Sequence, residues 1–116
     1  KVRATLLSLN HRFYIPEYAL EEIEDHLRLV VEKTALSEDE VKLALDILLT
    51  NMQVIPSEDI MIKLNEAEGI MGSYDMGDVP FLAAALSMDC DGIWSDDKDF
   101  KRQRRLRIWS TKEMVR

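Results

Sequence analysis

Carboxylates are the residues in this chain whose placement suggests chemistry. The stretch 77–100, GDVPFLAAALSMDCDGIWSDDKDF, opens on Asp78 and closes on Asp96, Asp97 and Asp99. Glu22 stands much earlier, in an acidic run. Brought together, Glu22, Asp78, Asp97 and Asp99 form an all-oxygen cluster. Carboxylates held close repel and raise one another's pKa values, and a hard divalent cation such as Mg2+ or Mn2+ relieves them. Such a cation can activate a water and neutralise a phosphate under in-line attack. Taken singly, each acid has a plainer reading. Asp78 suits a helix N-cap, Asp96, Asp97 and Asp99 suit a turn introducing a short helix at Lys98, and Glu22 suits a solvated surface.

The elements that must position these acids are legible in outline. An apolar run at 79–88 predicts a helix behind Asp78, and Gly92-Ile93-Trp94-Ser95 predicts a short strand ending at the acids. In an open α/β sheet, ligand chemistry gathers beyond the carboxyl ends of strands. Upstream, 2–10 reads as a short helix and 13–15 as a strand stopped by Pro16. Leu20, Ile23, Leu27, Val30 and Val31 recur at helical spacing, predicting one amphipathic helix over 17–33. Ser37 to Glu40 fits a capping box, followed by a helical period through Met52. Residues 53–55 read as a strand before Pro56, Ser57 begins a helix reaching Met71, and 106–109 reads as a last strand. Strands alternating with helices predict an α/β fold with a parallel sheet covered on both faces.

At 116 residues the chain is expected to form a single domain. Its formal charge of -7 argues against binding nucleic acid through bulk electrostatics, yet Lys101, Arg102, Arg104, Arg105 and Arg107 crowd into one segment after the acids. That run is either a solvated surface or a handle for backbone phosphates. One cysteine and two histidines are too sparse a set for zinc. No apolar run approaches the roughly 20 residues of a membrane span, and KVRATLLSLN is too interrupted for an export signal, so a cytoplasmic protein is expected. Trp94 and Trp109 read as strand residues, and the methionines at 52, 61, 71, 76 and 88 as adaptable core packing.

Three pieces together resemble the PIN domain family. They are Tyr14-Ile15-Pro16-Glu17 through Glu21-Glu22-Ile23, then Gly77-Asp78-Val79-Pro80-Phe81 with Ala83 and Ala85, and finally Ile93-Trp94-Ser95-Asp96-Asp97-Lys98-Asp99-Phe100. The last resembles T-x-D-x-D-F, with Ser95 in the threonine place. The resemblance implies a three-layer α/β/α sandwich with a short parallel sheet and a Mg2+- or Mn2+-dependent ribonuclease activity. It assigns Glu22, Asp78 and Asp97 to the metal site, Asp99 as a supporting or further ligand, and Ser95 as a residue orienting a carboxylate. Asp75 and Asp96 fall outside the pattern.

The family's first strand, ending in an aspartate within a context like D-T-N-V, has no counterpart before Lys1-Val2-Arg3. The chain is therefore expected to be a piece of a longer domain, truncated at its amino end. Two functions follow as expectations. One is an endoribonuclease, a candidate toxin of a toxin-antitoxin pair, with Lys101, Arg102, Arg104 and Arg105 on RNA and an antitoxin or a second copy as partner. The other is a catalytically degenerate module that binds protein or RNA. A dinucleotide-binding reading fails, because Gly69, Gly72 and Gly77 do not form G-x-G-x-x-G.

Overall fold

The computed structural model describes residues 2–8, 10–72 and 76–116, with Met76 described by its backbone alone. Asp75 lies outside the described residues. Two compact units divide the chain, Arg3–Ile55 and Pro56–Arg116, the latter joined by Val2.

The first unit follows the short helix α1, Val2–Leu7, with a strand, three helices and a second strand. Strand β1, Phe13–Pro16, pairs in parallel with β2, Met52–Ile55, Phe13 opposite Met52 and Pro16 opposite Ile55. A parallel pair needs a crossover, supplied by α2 (Glu17–Asp25), α3 (Leu27–Lys33) and α4 (Glu38–Leu49). The single helix expected over 17–33 is broken at His26. There the backbone leaves helical geometry (φ -94°, ψ 6°). The His26 ring Nδ1 donates to the Glu22 carbonyl at 2.7 Å, and the same carbonyl accepts the His26 backbone N–H at 3.0 Å. Two residues of the predicted apolar stripe, Ile23 and Val30, are 37% and 42% exposed.

Helix α4 starts as predicted. Ser37 Oγ accepts the Glu40 N–H and Glu40 Oε1 accepts the Ser37 N–H, both at 3.2 Å. It stops at Leu49, short of Met52, because Met52 opens β2.

The second unit holds α5 (Ser57–Met71), α6 (Val79–Leu86), β3 (Ile93–Trp94), β4 (Ile108–Trp109) and α7 (Thr111–Met114). Four consecutive residues of α6, Leu82 to Ala85, are buried, so the helix is enclosed on every side. That explains its uniformly apolar sequence. Its alanines also let α5 approach closely, bringing Ile60, Ala67 and Met71 into the same core. Met61 and Ile62 on α5 are exposed instead, so Met61 is not the core residue expected.

Strands β3 and β4 pair in parallel, Ile93 opposite Ile108 and Trp94 opposite Trp109. Gly92 makes this approach possible. Its φ is +139°, and a Cβ there would collide with the Arg107 carbonyl. The strand expected over 106–109 is shortened by Gln103, which is buried. Its Nε2 donates to the carbonyls of Phe100 at 3.0 Å and Leu106 at 2.8 Å, while its Oε1 accepts the Leu106 N–H at 3.0 Å. Leu106 is tied into that loop and cannot join the ladder. The architecture is α/β with parallel pairing, carried among the described residues by one two-stranded ladder in each unit.

Candidate metal centre

A 3-10 turn, Met76–Asp78, runs directly into α6 and leaves Asp78 at its N-cap position. The capping role that spacing suggests does not form: the Asp78 side chain makes no capping bond. Two local causes are visible. The Asp78 backbone is helical (φ -90°, ψ -11°), not extended as a capping residue's usually is, and Pro80 in the first turn has no N–H to give.

Ser95 and the acids leave the end of β3 under close control. The Ser95 N–H donates to the Trp109 carbonyl at 3.0 Å, so pairing continues through Ser95. Ser95 Oγ then accepts the Asp97 N–H at 3.0 Å, and Asp97 Oδ1 accepts the Asp99 N–H at 2.9 Å. Ser95 thus holds the backbone of Asp97, the first acid of the cluster beyond β3. Phe100, buried in the core, anchors the loop just beyond Asp99.

The outcome is a convergence of Asp78, Asp97 and Asp99. One carboxylate oxygen from each lies within 4.8 Å of the other two. Asp78 and Asp99 are half-buried and Asp97 is exposed, so the cluster opens to solvent on the Asp97 side. Three carboxylates this close repel, and the donor set is hard oxygen throughout. Octahedral Mg2+ at about 2.1 Å sets adjacent ligands ~3.0 Å and opposite ligands ~4.2 Å apart, so the three carboxylates would draw closer together around such an ion. Glu22 belongs to the other unit, exposed on α2.

Asp96 turns elsewhere. Its Oδ1 accepts the Thr111 N–H at 2.8 Å and its Oδ2 accepts the Thr111 hydroxyl at 2.6 Å. These bonds, the hydroxyl's first, hold its carboxyl below the ordinary value of 3.8. Nothing local in the sequence marks Thr111 as its partner. A second S-x-x-E pattern, Ser110 to Glu113, does mark the start of α7, where the reciprocal capping bonds form at 2.9 and 3.1 Å.

Among the basic residues, Lys101 and Arg102 occupy a 3-10 turn, and Arg104 is exposed. Arg105 bonds Glu66 at 2.7 Å, and Lys63 approaches the same carboxylate at 3.5 Å. Arg107 lies 3.6 Å from the centre of the Trp109 ring and 3.5 Å from Glu113. Both tryptophans are strand residues fixed by their indole N–H groups, Trp94 on Thr111 Oγ1 at 2.9 Å and Trp109 on the Asp91 carbonyl at 3.1 Å.

A family model described as PIN domain matches residues 1–115, and the chain belongs to the PIN domain family. PIN domains are nucleases that act on RNA and generally use divalent metals. Comparison with curated proteins gave no match, and comparison with solved structures gave none. No helix among the described residues is long and apolar enough to cross a membrane.

Proposed function

We propose that this protein is an endoribonuclease that hydrolyses RNA phosphodiester bonds using Mg2+ or Mn2+ held by Asp78, Asp97 and Asp99. The observation that carries the reading is the convergence of those three carboxylates, drawn from two separate elements, in a PIN domain. When bound, the cation supplies the charge that lowers the pKa of a water and neutralises the attacked phosphate.

The chain's own residues do the rest. Asp97 and Asp99 hold their carboxylates toward Asp78 through the successive bonds that begin at Ser95. Glu22, on α2 of the other unit, is assigned to the metal site by the family pattern alone. Lys101, Arg102 and Arg104 bind backbone phosphates of RNA, a contribution blind to sequence and weakened by salt. Arg105 takes a smaller share, because Glu66 already neutralises it.

A cytoplasmic toxin restrained by an antitoxin, or assembled with a second copy, is the biological setting that fits. Leu43 and Ile47 support a protein partner: they lie one turn apart on α4 and are 62% and 49% exposed. The test of the activity is cleavage of single-stranded RNA on adding Mn2+ or Mg2+, halted by chelator. RNA left intact under both metals contradicts the reading and favours a binding module that has lost catalysis.

A further inference from the structure

The structure assigns Asp96 a positioning role: by gripping Thr111 it fixes the loop that carries Asp97 and Asp99, and so sets the cluster's affinity for a divalent cation. The inference rests on the metal reading above. It starts from the alternation of an extended chain, in which side chains two apart share a face. Trp94 and Asp96 both reach Thr111, one donating to its hydroxyl oxygen at 2.9 Å and the other accepting its N–H and hydroxyl. Between them, Ser95 Oγ accepts the backbone N–H of Asp97.

Thr111 is a firm anchor for that grip. It is the first residue of α7, whose start is held by the Ser110–Glu113 capping box, and it follows β4, which accepts the Ser95 N–H through Trp109. The end of β3, the end of β4 and the start of α7 are therefore closed on one another at the root of the acidic loop. Asp96 commits both oxygens to Thr111, so the first of three closely spaced aspartates holds the scaffold while Asp97 and Asp99 converge with Asp78. Outer partners that orient metal ligands typically carry about 10- to 100-fold in metal affinity.

The experiment is calorimetric titration of the full chain with Mn2+, with RNA cleavage measured beside it. Asp96→Ala is expected to weaken Mn2+ binding by about 10- to 100-fold, and Thr111→Val to weaken it in the same direction. The double variant should bind little worse than Asp96→Ala alone, because the two residues act as a unit. Asp96→Asn should stay within about 3-fold of wild type: its amide oxygen still accepts the Thr111 N–H and its NH2 can donate to the Thr111 hydroxyl. Glu113→Gln removes a charge near Thr111 while its amide oxygen still accepts the Ser110 N–H and keeps the capping box, so it should leave Mn2+ affinity unchanged.

Asp96→Asn binding as weakly as Asp96→Ala would show that charge matters and position does not, overturning the inference. So would equal weakening by Glu113→Gln. Asp97→Asn separates this inference from the reading beneath it. If Asp97→Asn abolishes Mn2+ binding while Asp96→Ala binds like wild type, the positioning role falls and the metal site stands. If wild type binds no Mn2+, or Asp97→Asn binds it undiminished, the metal site falls and the positioning role with it.

Discussion

The backbone N–H of Asp99 donates to Asp97 Oδ1 at 2.9 Å, so one acid of the cluster holds the next in place. Structure and charge are joined in Asp97, and substitution can separate them. In Asp97→Asn the amide oxygen can still accept the Asp99 N–H, while the negative charge is gone. Metal-dependent RNA cleavage should fall by more than about 100-fold, beyond what outer partners of a metal usually carry, with a melting temperature close to wild type. Asp97→Ala should lose the cleavage and melt lower as well. Cleavage by Asp97→Asn at the wild-type rate would remove Asp97 from the site.

The basic segment divides by partner. Arg104 is exposed, whereas Arg105 is bonded to Glu66. Arg104→Ala should weaken RNA binding and lower the slope of log affinity against log salt by about 1, the loss of one phosphate contact. Arg105→Ala should change that slope less. Binding isotherms at several salt concentrations check both, and equal slopes for Arg104→Ala and wild type would place RNA elsewhere.

Gly92 is a backbone requirement of the β3–β4 pair. Gly92→Ala must hold a φ of +139° with a Cβ driven into the Arg107 carbonyl. The conformation alone costs about 1–3 kcal/mol, and relief of the collision separates the strands that deliver Ser95 and Asp97. Urea unfolding should show the loss of stability. A variant as stable as wild type would mean the turn can adopt another path.

Glu66 links stability to pH. Its hydrogen bond to Arg105 is the largest cause holding its carboxyl below the ordinary 4.5, with the charges of Arg105 and Lys63 adding to it. A carboxyl depressed by folding contributes stability that is whole above its unfolded value and lost as pH falls through its folded value. The difference in urea midpoint between wild type and Glu66→Gln should therefore be constant above about pH 5 and shrink as pH drops below 4.5. Because the pair is exposed, added salt should also shrink it. A difference that grows toward acid would contradict the assignment.

Local chemistry in this chain is legible in the sequence, and contacts between elements are not. The Ser37–Glu40 box and the apolar helix behind Asp78 are readable because capping and burial leave residue types at short, fixed spacings. The same reasoning misassigns the Asp78 side chain, because its conformation depends on the 3-10 turn ahead of it and on Pro80 behind. At the break, the ring nitrogen and backbone N–H of His26 share the Glu22 carbonyl, a geometry no periodicity encodes. Asp96 and Thr111 are 15 residues apart and meet only because β3 and β4 pair in parallel. Gln103 shortens β4 by a buried network that composition does not reveal.

On the proposed reading, Asp78, Asp97 and Asp99 share one divalent cation. A crystal grown with Mn2+ and measured for anomalous scattering tests it most directly. A single strong peak is expected, with an oxygen from each of the three aspartates within about 2.0–2.6 Å. A peak bound by other acids while these three hold none, or no peak at saturating Mn2+, would contradict it.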